Sequence, residues 1–294
     1  MKKVSLSMLC CFMVIFMIAC GGETENEGAF EEVDNPVEDE TEANEEIDDS
    51  TEGDETNLPL EEEVEEKTKE PEIEEVEEEI EPLYQLHGAT VRPIEEGTPE
   101  NVVLITIDDS FDSPSESKTY YALEMAQILK DLDAGAIFFV NGQGLAHEHN
   151  REMLREIYEL GFEIGNHSMT HSNFRNLSEE EARAEIIELN DLIEEITGER
   201  PRFFRAPFGI NTDVTREVTA EEGMQWMNWT YGYDWEEGYM EAEPLAEIMV
   251  ETELLRNGAN LLMHDRDFTR DALKDIVEGL RDKGFEIVDP ALIK

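Results

Sequence analysis

Beyond residue 20 the chain contains no cysteine; Cys10, Cys11 and Cys20 are its only three. No disulfide can staple the rest, so stability there must come from an ordinary buried core. Any metal site in it must use His, Asp or Glu. Positive charge is scarce as well: 22 Lys and Arg stand against 74 Asp and Glu, a net charge of −52. Such a surface argues against nucleic acid or other polyanions as tightly held ligands. After the N-terminus no long apolar run occurs, so nothing further along reads as a membrane span.

What is present falls into zones. A length of 294 residues bounds the chain to one or two domains. Lys2 and Lys3 precede a nearly unbroken apolar run, Val4 to Ile18, that ends in Met17-Ile18-Ala19-Cys20-Gly21. A small residue followed by cysteine at the end of such a run resembles the lipobox of bacterial lipoproteins. That resemblance implies a signal peptide over residues 1–20, lipidation of Cys20 and anchoring to the outer face of the cell membrane. Met17 stands where leucine is more usual. Residues 1–20 are therefore set apart from the fold. Residues 21–82 hold 30 acids and 2 lysines, in runs such as EEEVEEKTKE. So little apolar surface cannot offset the entropy of ordering, and like charges repel, so a disordered acidic tether is expected. Residues 83–294, with 44 acids and 18 bases, are the candidate folded domain.

From Leu83 onward apolar runs alternate with amphipathic segments. Strands are expected at Val102–Asp108, Ala136–Gly142, Phe162–His167, Arg202–Pro207, Met224–Trp229, Ala259–His264 and Phe285–Asp289. Helices are expected at Thr119–Leu132, His149–Leu160, Ser178–Thr197, a stretch ending near Glu222, Pro244–Arg256 and Asp271–Lys283. Ser178 and Glu181 have the spacing of a capping box. A β–α repeat with continuously apolar strands predicts an α/β fold, a parallel sheet covered by helices, open or closed into a barrel. In such folds the working residues gather at the C-terminal ends of the strands. Those ends deliver Asp108-Asp109, Asn141, His167 with His171, Arg205 to Gly209, Asp234-Trp235 and His264-Asp265 to one rim.

The groups on that rim suggest hydrolysis. Two imidazoles four residues apart, His167 and His171, can meet one metal ion from the same side, and Asp109 completes a two-histidine, one-carboxylate set. This donor set suits a divalent transition metal with positions left for water and substrate; zinc is the default, and cobalt, manganese or nickel are accepted too. Neighbouring side chains on extended backbone point apart, so Asp108 is expected beside the metal as the base, with Arg205 as its orienting partner. His264 can protonate a leaving group, with Asp234 as the candidate carboxylate that raises its pKa and Asp265 as its rival. Trp235 offers a flat apolar face of the kind sugars stack on.

In this order these residues resemble the polysaccharide deacetylase family, the NodB-homology domain of carbohydrate esterase family 4, over Val102 to Asp289. Thr106-Ile107-Asp108-Asp109 resembles its first motif, a base followed by a metal ligand. His167-Ser168-Met169-Thr170-His171 resembles the second, and Arg205-Ala206-Pro207-Phe208-Gly209 the third, in which the N–H after Pro207 helps hold the oxyanion. Asp234-Trp235 resembles the fourth and Leu262-Met263-His264 the fifth. Ser110 replaces the usual glycine after the aspartate pair, and Phe208 the usual tyrosine. The resemblance implies a distorted (β/α) barrel with fewer than eight repeats and metal-dependent removal of acetyl groups from an amino-sugar polysaccharide. Together with a lipid anchor, it implies peptidoglycan as substrate, on N-acetylglucosamine or N-acetylmuramic acid, by a monomer. An acetyl-ester hydrolase acting on xylan or another glycan, or a catalytically silent sugar-binding lipoprotein, are the alternatives.

Overall fold

The computed structural model describes residues 81–294. The expected signal peptide, Cys20 and the expected acidic tether lie outside the described residues, save the last two positions, 81 and 82.

The elements follow in chain order: β1 (Tyr84–His87), β2 (Thr90–Pro93), β3 (Val102–Ser110), α1 (Ala122–Asp131), β4 (Ala136–Val140), α2 (Glu148–Glu159), β5 (Glu163–Asn166), α3 (Glu179–Thr197), β6 (Phe203–Phe204), α4 (Asp213–Glu221), β7 (Gln225–Trp226), α5 (Ala242–Glu251), β8 (Ala259–His264), α6 (Asp267–Asp282) and β9 (Glu286–Ile287). Strands β8, β3, β4, β5, β6 and β7 lie side by side and parallel. The chain after β7 swings across to the other edge, where Tyr231 bridges Leu261 of β8 in parallel. One segment thus pairs with β6 at its start and β8 at its end, and the parallel sheet read from the β–α repeat curls into the distorted barrel that the family resemblance implies.

Side-chain alternation sorts the core. Along β3, Val103, Ile105 and Ile107 face the helices and join the largest apolar cluster. Val102 and Leu104 face inward, with Ile137 and Phe139 of β4, Phe203 of β6 and Met227. Each fully buried Leu, Ile or Phe contributes about 2 kcal/mol. Higher in the barrel the inward positions turn polar. Thr106 and Asp108 of β3 stand beside Leu262 and His264 of β8 in the parallel register. Residues paired in this way point to the same face, so the base and acid candidates project to one side.

Several boundaries differ from those expected. The hairpin β1–β2 was not expected; its signal was YQLH and TVRP around Gly88, whose φ of 66° only glycine adopts freely. It pairs antiparallel with the edge of β8 at Thr90 and Ala259 and so covers that edge. Helix α5 ends at Glu251 rather than Arg256, because Thr252 is extended. Helix α6 begins at Asp267, a turn earlier than Asp271. The Ser178–Glu181 capping box is present as predicted.

Candidate active site

Asp108, Asp109, His167, His171, Phe208, Trp229, Trp235, Leu262 and His264 line one open cavity of about 280 Å³ at the C-terminal end of the strands. Its floor is Arg205, which is wholly buried inside the barrel. One guanidinium nitrogen donates to Asp108 Oδ1 at 2.7 Å and Thr106 Oγ1 at 2.8 Å. The other donates to Asn260 Oδ1 at 3.2 Å and the carbonyl of Asn228 at 3.3 Å. The Phe139 ring lies 4.3 Å from the guanidinium carbon. With both terminal nitrogens engaged, and only Nε buried without a partner, Arg205 orients Asp108 and leaves its Oδ2 facing the cavity side, 3.6 Å from His167 Nε2.

Asp109 corrects one expectation. It is not extended: its φ is 65°, in the left-handed region. That turn brings the Asp109 carboxylate into the same space as Asp108 instead of away from it. Oδ1 of Asp109 lies 3.2 Å from His171 Nε2 and 3.5 Å from His167 Nε2, buried and without a well-formed hydrogen bond. Ligand atoms of Asp109, His167 and His171 all fall within 4.8 Å of one another. His167 Nδ1 is engaged by the Arg205 carbonyl at 2.7 Å. With Nδ1 donating there, Nε2 is left unprotonated and free to ligate. An unpaired buried carboxylate oxygen between two imidazole nitrogens is the donor arrangement a divalent cation needs, and the three residues fit one.

The imidazoles differ in character. Burial lowers the pKa of His167 below its ordinary value, as suits a neutral ligand. Burial also acts to lower His171, but the Asp109 carboxylate 3.2 Å away and the carboxylates of Asp108 and Asp112 raise it overall. For Asp109 burial raises the pKa, yet the surrounding imidazoles outweigh it and hold the carboxyl well below the usual range.

Across the cavity, His264 Nδ1 bonds Asp234 Oδ1 at 2.7 Å. Asp234 is wholly buried, and its Oδ2 accepts from the His264 backbone N–H at 2.7 Å and from Thr269 at 3.0 Å. Burial alone would lower the His264 pKa; the Asp234 hydrogen bond and charge, with Asp109 and Asp108 behind, raise it. His264 Nε2 points at the cavity, 3.9 Å from Asp109 Oδ2. Asp234, the candidate, is the partner, and its rival is not. Asp265 turns away to accept the Tyr121 N–H at 2.6 Å. The Trp235 ring stands edge-on to His264 at 5.3 Å.

The remaining predicted residues have definite places. Pro207 is buried and opens a short 3-10 turn, and Phe208 within it has φ 59° and is 61% exposed, its ring 4.9 Å from His171. Ser110 needs no left-handed backbone; the positive φ values fall on Asp109 and Phe111 on either side of it. Serine there is thus compatible with the turn, although its hydroxyl is buried without a partner. Trp229 was not anticipated as a cavity residue; it ends the run MQWMNW, which reads as strand core. Thr106 and Asn260, the other anchors of Arg205, were hidden inside apolar strands.

Residues 95–227 match the family model for polysaccharide deacetylases. A peptidoglycan-N-acetylglucosamine deacetylase of Bacillus cereus is 30% identical over 200 residues, covering 65% of this chain and 69% of that protein. The chain belongs to the polysaccharide deacetylase family. An uncharacterized protein of Bacillus subtilis, YlxY, is 27% identical and is spanned over 62% of its length by 71% of this chain. Among solved structures, the peptidoglycan deacetylase PdaC of Bacillus subtilis superposes with a TM-score of 0.54 at 28% identity, over 65% of this chain and 88% of that one. A mutant of BA3943, described as a pseudoenzyme of carbohydrate esterase family 4 with restored activity, superposes with a TM-score of 0.56 at 30% identity. It covers 64% of this chain and 65% of that one. Membership places the chain among hydrolases that take acetyl groups from polysaccharides, a family that generally uses a divalent metal.

Proposed function

We propose that this deacetylase hydrolyses N-acetyl groups on the amino sugars of peptidoglycan, with a divalent metal, zinc by default, held by Asp109, His167 and His171. The observation that carries the reading is the complete pairing of two proton-handling groups across one cavity: Asp108 fixed by Arg205, and His264 fixed by Asp234. Fold alone would not suffice, since one structural relative is described as a pseudoenzyme. A catalytically silent sugar binder would have no use for two buried charge pairs aimed at one pocket.

A bound metal supplies a Lewis acid that acidifies water and polarises a carbonyl. The chain's own residues do the rest. Oδ2 of Asp108 accepts the proton of the attacking water while Arg205 holds Oδ1. The N–H of Phe208 receives the oxyanion; one such donor contributes about 3 kcal/mol. Nε2 of His264 gives its proton to the amine nitrogen as the C–N bond breaks, releasing acetate and a free amino sugar. Phe208, Trp229, Trp235 and Leu262 offer apolar faces for the acetyl methyl and the sugar ring.

Peptidoglycan is supported by the names of the relatives and by the lipobox-like ending at Cys20, which would tether the domain against the cell wall. The test is acetate release by the full chain from peptidoglycan, chitin oligomers and acetylated xylan, after chelation and after zinc is returned. Metal-restored release from the amino-sugar substrates, reduced at least about a hundredfold by Asp108→Asn, is expected. Release from acetylxylan alone would replace the amidase reading with an esterase one.

A further inference from the structure

The metal-ligand loop is held by a residue outside every catalytic motif. Loop Ser168–His171 carries two non-glycine residues in the left-handed region, Ser168 at φ 72° and His171 at φ 56°. Such backbone is strained for a residue with a side chain and persists only where its surroundings over-determine it. The surroundings are a wall of polar groups from α3. Asn190 Oδ1 and the carbonyl of Ile186 accept from the Asn166 amide at 2.7 and 2.9 Å, and Asn166 Oδ1 in turn accepts the Ser168 N–H at 2.8 Å. From the other side the Asn141 amide donates to the carbonyls of His167 and Ser168 at 2.7 and 3.1 Å.

Glu185 grips the middle of this loop. Its backbone carbonyl accepts the Met169 N–H at 2.9 Å. Its Oε2 accepts the Thr170 N–H at 2.8 Å, and its Oε1 accepts the Thr170 hydroxyl. The side chain is buried, and among the described residues it forms no ion pair. A carboxylate removed from water is costly unless fully bonded. Here all of that bonding goes to Thr170, the residue just before His171. We infer that Glu185 is a positioning residue for the metal site: it locks the Thr170 peptide so that His171 Nε2 meets Asp109 and His167. This rests on the proposed metal set, and it concerns metal affinity before any turnover.

Zinc affinity of the full chain, measured by competition with a chromogenic chelator, tests it. Glu185→Ala should weaken zinc binding by about 10- to 100-fold, the usual effect of removing an outer partner of a metal ligand. Glu185→Gln should restore it, since the amide oxygen still accepts the Thr170 N–H and the amide N–H can donate to the Thr170 hydroxyl. Thr170→Val, which deletes the hydroxyl's bonds to Glu185 and Ser172 but keeps the Thr170 N–H bond to Glu185, should weaken zinc in the same direction by less. The control is Glu181→Ala, which breaks the capping box at the start of α3 without touching the loop; it should lower the Tm and leave zinc affinity unchanged. Wild-type affinity in both Glu185→Ala and Thr170→Val, or an equal loss in Glu181→Ala, would overturn the positioning role alone. A wild-type chain that binds no zinc would overturn this role and the metal-dependent reading together.

Discussion

At Asp108 and Asp109 one backbone angle decides the chemistry. Were both residues extended, their carboxylates would part; the left-handed turn at Asp109 lets both face His167. Positive φ on non-glycine residues occurs at six described positions, and five of them, Asp109, Phe111, Ser168, His171 and Phe208, lie in or beside the site. Strain gathers where function demands a geometry that propensity would not choose. At the same scale, Asp234 sets the proton affinity of His264. Since the acid must be protonated to act, a raised pKa extends activity toward alkaline pH. Asp234→Asn removes the negative charge, so the His264 pKa falls and the alkaline limb of the kcat/KM profile moves to lower pH. That profile is the measurement, and an unmoved limb would mean that another group supplies the proton.

Between elements, β8 and α1 are joined through Asp265, whose Oδ1 receives the Tyr121 N–H at the start of α1. Its Oδ2 has no partner, and burial pushes its pKa up to about 7, against the opposing backbone hydrogen bonds and Lys118. From about pH 4, where a free aspartate titrates, to about 7, the folded chain holds a proton that the unfolded chain has released. Stability from this group therefore falls as pH rises through that window and stays low above it. Asp265→Asn should flatten the trend, raising the Tm at pH 8 relative to wild type far more than at pH 4. Thermal melts across pH read this directly. The β–α beat that places β8 and α1 was plain in the sequence, because apolar continuity and helical period are local. The ends of the elements were less plain: α5 stops where Thr252 turns extended, α6 starts at Asp267, and β6 and β7 shrink to two residues each as the barrel distorts. The β1–β2 hairpin was overlooked because its short strands carry weak alternation and gain their place by covering β8.

Across residues 83–294, 44 acids stand against 18 bases, and among the described residues the only wholly buried cation is Arg205. No helix of the described residues is long and apolar enough to cross a membrane. Under the proposed lipidation of Cys20, Cys20→Ser should shift the protein from the membrane fraction to the soluble exported fraction without loss of deacetylase activity. Fractionation with mass spectrometry of the N-terminus checks this; lipid-free protein that stays on the membrane would point to an uncleaved anchor instead.

The sequence by itself determined the α/β class, the barrel's repeat and nearly all the residues of the rim, because strand ends, histidine spacing and motif order are properties of the chain. Whether Asp234 or its rival Asp265 serves His264, the proposed acid, was decided only by the tertiary structure. Asp234 and Asp265 flank the same stretch of rim and are chemically equal, and only packing shows that Asp234 reaches His264 while Asp265 is spent on α1. Trp229, Thr106, Asn260 and Glu185 were likewise silent, for their roles consist of what lies across the barrel from them, and no local pattern records that.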